Sequence, residues 1–338
     1  MSTWGRVLIA SALAATAGAA TANELNLYTS RHYATDEALY DDFTKATGIR
    51  IARIEASADK LIERIRAEDV NSKADLLITV DAGRLWRAQQ LNLFQPVRSA
   101  ALESAIPAQW RDPAGHWFGL SVRARVLVYA KDRVGPLDLK RYEDLADARW
   151  RGRLLSRSST DIYVQSLIGS LIAHNGETAT EAWARGVVAN FARPPRGGDT
   201  DQIRAVAAGE GDLALVNTYY LANLARSKKP EDQAIAAKLA VVFPNQGDRG
   251  THVNISGAGV ARHAPNRANA VKFLEYLVSP SAQAYFADGN NEYPVLAEAK
   301  LSETLAGWGT FKADRLEAAI IGAHNEAALR LADRVGWK

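Results

Sequence analysis

Apolar residues change spacing repeatedly along the chain. "LNLY" (25–28) is a short apolar run that predicts a first strand, and "TDEALYDDFTKATG" (35–48) switches to helical spacing, opened by Thr35 and stopped by Gly48. "IRIARIE" (49–55) alternates as a strand does, and "ADKLIERIRAE" (58–68) returns to a helix. "ADLLITV" (74–80) is a continuous apolar run of the kind found in buried parallel strands. The opening therefore predicts β-α-β-α-β.

A long extended segment follows, "HWFGLSVRARVLVYAKD" (116–132), whose Val122, Val126 and Val128 fall at even spacing. A strand of this length in mid-chain would cross between two lobes. A second α/β series comes next: "GRLLSR" (152–157), the helix "YVQSLIGSLIAHNG" (163–176), the helix "TDQIRAVAAG" (200–209), the strand "DLALV" (212–216), a helix from Tyr219, and the strand "LAVVF" (239–243). "HVNISGAGVARHA" (252–264) is extended again. "NRANAVKFLEYLVSPSAQAYFA" (266–287) predicts two helices divided at Ser279-Pro280, and a final helix is expected within "ADRLEAAIIGAHNEAALRLADRV" (313–335). No internal repeat or low-complexity linker interrupts this order. Two α/β lobes joined by crossing strands, with a cleft between them, account for it.

Length agrees with two lobes, since 338 residues exceed one ordinary core. With 47% hydrophobic and 23% charged residues, the chain is globular in composition. Its first residues have the form of an export signal. Arg6 precedes an apolar stretch from Val7 to about Ala15, and Ala20-Thr21-Ala22 fits a small-x-small cleavage site, so residues 1–22 read as a signal peptide and Asn23 as the first mature residue. Arg6 is the only charge in that segment, so its removal takes the net charge from +3 to +2. No basic run alternates with aromatics, which argues against nucleic acid as a partner; "RWRGR" (149–153) and "RSKKP" (226–230) read as solvated surface. Cysteine is absent, which removes disulfides, thiolate metal sites and thiol nucleophiles.

The candidate chemistry lies at strand-to-helix junctions, where open α/β sheets bind ligands. Tyr219 and Tyr220 follow "DLALV", Tyr33 with His32 follows the first strand, and Tyr163 begins the helix after "GRLLSR". Adjacent residues at such a turn can reach one point, as they cannot inside a helix or strand. Taken singly, a tyrosine at a helix start is ordinarily a packing residue and a lone histidine a surface or capping one. Together they suggest a common centre. Phenols are neutral near pH 7, yet a small trivalent cation can displace their protons, and hard oxygen donors favour ferric iron over copper(I) or zinc. Three phenolates balance the 3+ charge, and a fourth calls for a nearby arginine.

Other motifs carry less. "RGGDTD" (196–201) reads as a helix start capped by Thr200 or Asp199 and not as a phosphate loop, because its aspartates would repel an anion. "NISGAG" (254–259) lacks dinucleotide-loop spacing and reads as a tight inter-strand segment. The six histidines (32, 116, 174, 252, 263, 324) form no HExxH, and no GxSxG is present. The chain is expected not to be an enzyme, and no catalytic residue is assigned.

The segments "YTSRHYATD", "VDAGRLWRAQ", "RDPAGHWFGLSVRARV", "FARPPRGGDTDQIRAVAAGEGDLALVNTYY", "FPNQGDRGTHVNISGAGV" and "GNNEYPV" resemble the periplasmic ferric-iron-binding proteins of ABC importers, from about Leu25 to Val295. The resemblance implies a bilobal periplasmic-binding-protein fold of type II, also called a bacterial transferrin, closing on one Fe3+ carried as transported ligand. It is to the branch that uses mainly tyrosines, without a required synergistic anion. Tyr33 matches the N-lobe tyrosine, Tyr163 the C-lobe helix tyrosine, and Tyr219 with Tyr220 the paired tyrosines. His32 matches a histidine that joins the shell in some members and stays out in others. Arg123 matches an arginine that approaches the shell in part of the family, where it would offset phenolate charge; as a plain strand residue it would do nothing. Many relatives carry an arginine soon after the paired tyrosines, whereas this chain reads "YYLANLARS".

The expectation is therefore a monomeric periplasmic protein that delivers iron to an inner-membrane ABC permease and its ATPase. Its N-lobe is expected in 23–120 plus about 246–300, and its C-lobe in about 121–245 plus 301–338. Two alternatives stay open: another small ligand, an organic cation or oxyanion, with the tyrosines as cleft walls, or an iron-sequestering protein without a transporter.

Overall fold

The computed structural model describes residues 23–31, 33–135 and 139–338; the expected signal peptide and His32 lie outside them. Strands β1 (Glu24–Thr29), β2 (Arg50–Glu55) and β3 (Leu76–Val80) are parallel, linked through helices α1 (Asp36–Thr47) and α2 (Ala58–Glu68). Helix α1 buries Leu39, Tyr40 and Phe43 on one face, each side chain contributing roughly 1.5–3 kcal/mol by leaving water. It stops at Gly48, whose φ of 72° suits glycine. Thr35 holds the N-cap position without capping, because its hydroxyl is drawn to the Asn290 side chain instead. Helix α3 (Ala82–Gln90) leaves the end of β3, and the short α4 (Ala100–Ala105) precedes β4.

Strand β4 (Phe118–Ala130) organises the molecule, with all thirteen residues buried. As far as Ala124 it pairs antiparallel with β8 (Val253–Val260), which in turn pairs with β3; β9 (Tyr293–Pro294) adds to the same half. From Arg125 onward it pairs with β6 (Leu213–Asn217) and β7 (Leu239–Val242), and β5 (Leu154–Leu155) lies parallel to β6. The strand order is β2-β1-β3-β8-β4-β6-β5, so one strand belongs to two sheets and passes from the first to the second between Ala124 and Arg125. "NISGAG" is the middle of β8. A Cβ on Gly257 would lie 2.7 Å from the Phe118 carbonyl and one on Gly259 2.5 Å from that of His116, which explains the glycines by close strand approach.

Around the second sheet pack α5 (Ile162–Asn175), α6 (Glu177–Ala189), α7 (Asp199–Ala208), α8 (Thr218–Ala225) and α9 (Pro230–Ala237). Helices α10 (Arg267–Leu277) and α11 (Pro280–Ala284) separate at Ser279-Pro280 as expected, with the Ser279 hydroxyl accepting from the Ala282 N–H. The short α12 (Glu303–Gly307) follows. The expected final helix is two: α13 (Ala318–Ala323), packed on α3 and α5, and α14 (Asn325–Val335), packed on α5 and α6. Tertiary packing divides them, since Gly322 brings α13 so close that a Cβ there would lie 2.5 Å from the Trp86 Cβ. Among the described residues no helix is long and apolar enough to cross a membrane.

The start of α7 also differs from expectation. Gly198 is the N-cap, and the Asp201 carboxylate accepts its N–H at 2.7 Å. Neither Thr200 nor Asp199 caps; the Asp199 side chain turns into the protein, where arginines await it.

Candidate metal centre

Each tyrosine singled out in the sequence leaves the carboxyl end of a strand. Tyr33 follows β1, Tyr163 stands in the first turn of α5, and Tyr219 and Tyr220 open α8 directly after β6. Asp161 caps α5 by accepting the Tyr163 N–H at 2.9 Å, which fixes where that phenol enters the cleft. Tyr219 is the hub. Its hydroxyl lies 3.4 Å from that of Tyr163, its ring meets Tyr33 edge-on at 6.3 Å, and the Tyr220 ring is tilted against it at 4.2 Å. Tyr219 is buried and the other three are half-buried.

This crowding opposes ionisation. Burial, then the Glu292 carboxylate, holds the Tyr33 phenol far above its ordinary value, against the pull of Arg31. Tyr219 is raised well above normal by burial and by Tyr33, Tyr163 and Tyr220 around it. Tyr220 is pushed up to about 12 by burial first, then by Tyr163 and Asp199. Tyr33, Tyr219 and Tyr220 are accordingly neutral until a strongly charged cation arrives among them, and a small 3+ ion answers both the oxygen donors and the need to displace their protons.

Three arginines surround the phenols. Arg123, which the sequence left as either functional or inert, is 1% exposed. One nitrogen donates to the Ile255 carbonyl at 2.8 Å, while Nε and Nη1 have no partner among the described residues, and the guanidinium lies 5.3 Å from the Tyr163 ring centre. Arg157 lies at 5.2 Å from the same ring, paired with Asp161 at 2.6 Å. Arg31 lies 4.8 Å from the Tyr33 ring and 4.9 Å from Phe286, and is bound to both Asp36 and Glu292 at 3.0 Å. Arg123 thus stands without a carboxylate within ion-pair reach among the described residues, and its charge is free to oppose that of phenolates.

Sequence reasoning missed Arg31, Glu292 and Arg157. Arg31 sits two residues before Tyr33 and Glu292 within "GNNEYPV", but nothing local says that 261 residues of chain close up to join them. Arg226 is exposed, as expected for "RSKKP", and reaches from the end of α8 to Asp288 at 2.9 Å and to the Asn291 side chain at 2.9 Å, while Asn223 accepts from Asn291 at 2.7 Å.

The family described as bacterial extracellular solute-binding protein matches residues 71–313, well over half of the sequence. The chain belongs to that family. Among its relatives, iron uptake protein A1 of Synechocystis sp. (strain ATCC 27184 / PCC 6803 / Kazusa) is 52% identical over 315 residues, 93% of this chain and 88% of that one. The solved structure of Trichodesmium IdiA (FutA) in complex with iron and citrate superposes with a TM-score of 0.91 at 57% identity, covering 93% of this chain and all of that one. The ferric binding protein from Campylobacter jejuni gives 0.89 at 41% identity over 93% of this chain. This solute-binding protein therefore has the bilobal type II periplasmic-binding-protein fold, and its place is among transport proteins and not enzymes.

Proposed function

We propose that this protein captures ferric iron between two lobes through the phenolates of Tyr33, Tyr163, Tyr219 and Tyr220, with His32 as a further donor, and delivers it to an inner-membrane ABC permease driven by its ATPase. It works as a monomer in the periplasm, after cleavage near Ala22. One observation carries the ligand assignment: four tyrosines from three separate strand ends gather around Tyr219, backed by an arginine without a carboxylate partner among the described residues. The iron-uptake and ferric-binding relatives support the ion.

Residues 23–120 with about 246–300 form the N-lobe in this reading, and about 121–245 with 301–338 the C-lobe; the change of sheet within β4 supports a hinge there. Tyr33 then belongs to one lobe and the other three tyrosines to the second, so the ion binds the closed form better and shifts the population toward it. Arg123 supplies the positive charge left wanting when four phenolates meet one 3+ ion.

The test is the visible absorption of mature protein stripped with chelator and titrated with ferric citrate. A phenolate-to-iron charge-transfer band saturating at one iron per chain, and shifted or weakened in Tyr219→Phe and Tyr220→Phe, is expected. A protein that stays colourless would reduce the tyrosines to cleft walls.

A further inference from the structure

Asp199 is 0% exposed, although it is the first residue of a helix, a place where carboxylates ordinarily face water and favour the helix dipole. Its Oδ2 accepts from Arg125 Nη1 at 2.6 Å and from the backbone N–H of Asn217 at 2.8 Å. Its Oδ1 lies 3.6 Å from Arg157 Nη1. Those partners lead to the site by two routes. Asn217 is the last residue of β6, and Tyr219 and Tyr220 follow within three residues. Arg157 packs on the Tyr163 ring and pairs with Asp161, which caps the helix carrying Tyr163.

Arg125 ties the same place to the hinge strand, since it also donates to the Asn217 side chain at 3.2 Å and to the Leu215 carbonyl at 3.0 Å. The loop before α5 is held from behind as well, where the Trp337 indole donates to the Arg157 carbonyl at 3.0 Å and the Ser159 hydroxyl binds the Trp337 carbonyl. Two arginines and two aspartates make the cluster electrically neutral, so its charge does not compete for iron.

Building on the iron-binding reading above, we propose that Asp199 is a positioning residue of the tyrosine site, fixing the separation between Tyr163 and the Tyr219–Tyr220 pair without touching the ion. A buried carboxylate shared by the strand end and by the arginine beneath Tyr163 holds those two arms at one spacing before iron arrives, which is what preorganisation requires. The bonds that Oδ2 accepts from Arg125 and the Asn217 N–H are short and directional, whereas Arg157 at 3.6 Å is held to Oδ1 by charge alone; a neutral amide of the same shape keeps only part of the first and loses the second.

Asp199→Asn is the first variant, with Asp201→Ala as control because it strips the cap from the same helix end and leaves Asp199 in place. Each is titrated with ferric citrate, read by the charge-transfer band, alone and in a Tyr163→Phe background. The inference expects Asp199→Asn to weaken iron binding by about 10-fold or more and to move the band maximum, Asp201→Ala to do neither, and the Asp199 effect to shrink to less than about 2-fold once Tyr163 is Phe. An unshifted band with unchanged affinity in Asp199→Asn, or an undiminished effect beside Tyr163→Phe, overturns it. Should Asp199→Asn fail to fold by circular dichroism, Arg157→Gln breaks the same link from a partly exposed side chain and is held to the same outcomes. A wild-type protein with no band at all defeats the iron reading itself, a result separate from any of these.

Discussion

The phenol oxygens of Tyr163 and Tyr219 lie 3.4 Å apart, brought together from the starts of two different helices. Two phenolates at that distance repel strongly, so a cation that binds both oxygens must displace their protons and offset that repulsion. Binding is therefore proton exchange. Titration calorimetry in buffers of different ionisation enthalpy is expected to find about three to four protons released per ferric ion, and about one fewer in Tyr219→Phe. Equal release in both proteins would remove Tyr219 from the set of donors.

Arg123 offers the complementary test. Replacing it with methionine keeps much of its apolar stem and removes the charge behind Tyr163, which is expected to weaken ferric binding by roughly 10-fold to 100-fold, with partial rescue by lysine. Equilibrium competition against citrate measures this. An Arg123→Met protein with wild-type affinity would return the residue to the inert strand position that the sequence also allowed.

Arg226 pairs on the surface with Asp288, which the proposed lobe boundaries put in the other lobe. Because Asp288 is mostly exposed, the pair is worth at most about 1 kcal/mol and is screened by salt. Iron release to excess chelator is expected to run up to about 5-fold faster in Arg226→Ala than in wild type at low salt, with the gap closing near 1 M NaCl. A gap that persists at high salt would point to a packing role.

His252 sets an acid limit on stability. Burial, then Arg125, Arg249 and His174, lowers its pKa to about 3. The unfolded chain takes up this proton below about pH 6.5 while the folded one refuses it, so stability falls as pH drops from 6.5 toward 3, by at most about 1.4 kcal/mol per pH unit from this residue. Thermal melts at pH 7 and pH 4.5 are expected to differ less in His252→Gln than in wild type. An identical acid loss in both would assign it to carboxylates.

The order of elements was legible because the helical periods of α1 and α2 and the continuous apolar run of β3 are strong and local. The four tyrosines were legible because strand ends are where such sheets bind ligands, whatever the loops between them. What escaped was set by contacts distant in sequence. Asp199 looked like a cap because "GGDTD" offers several capping side chains, and only the nearness of Arg125, 74 residues earlier, turns it inward. Arg226 is at the surface as read, but its partner Asp288 arrives 62 residues later and could not be seen locally. The last helix was divided by α3, whose sequence lies far from it.

Strand β4 carries a consequence for how the protein comes apart. A single buried strand supplies pairing to both sheets, so neither lobe owns a complete sheet that could survive the loss of the other. Denaturation should accordingly be one cooperative event, with no species in which Tyr33 is loose while Tyr163, Tyr219 and Tyr220 remain ordered, or the reverse. The same continuity that lets the lobes swing denies them separate lives. A partly unfolded chain then presents no half-formed cluster of phenols to scavenge metal out of turn.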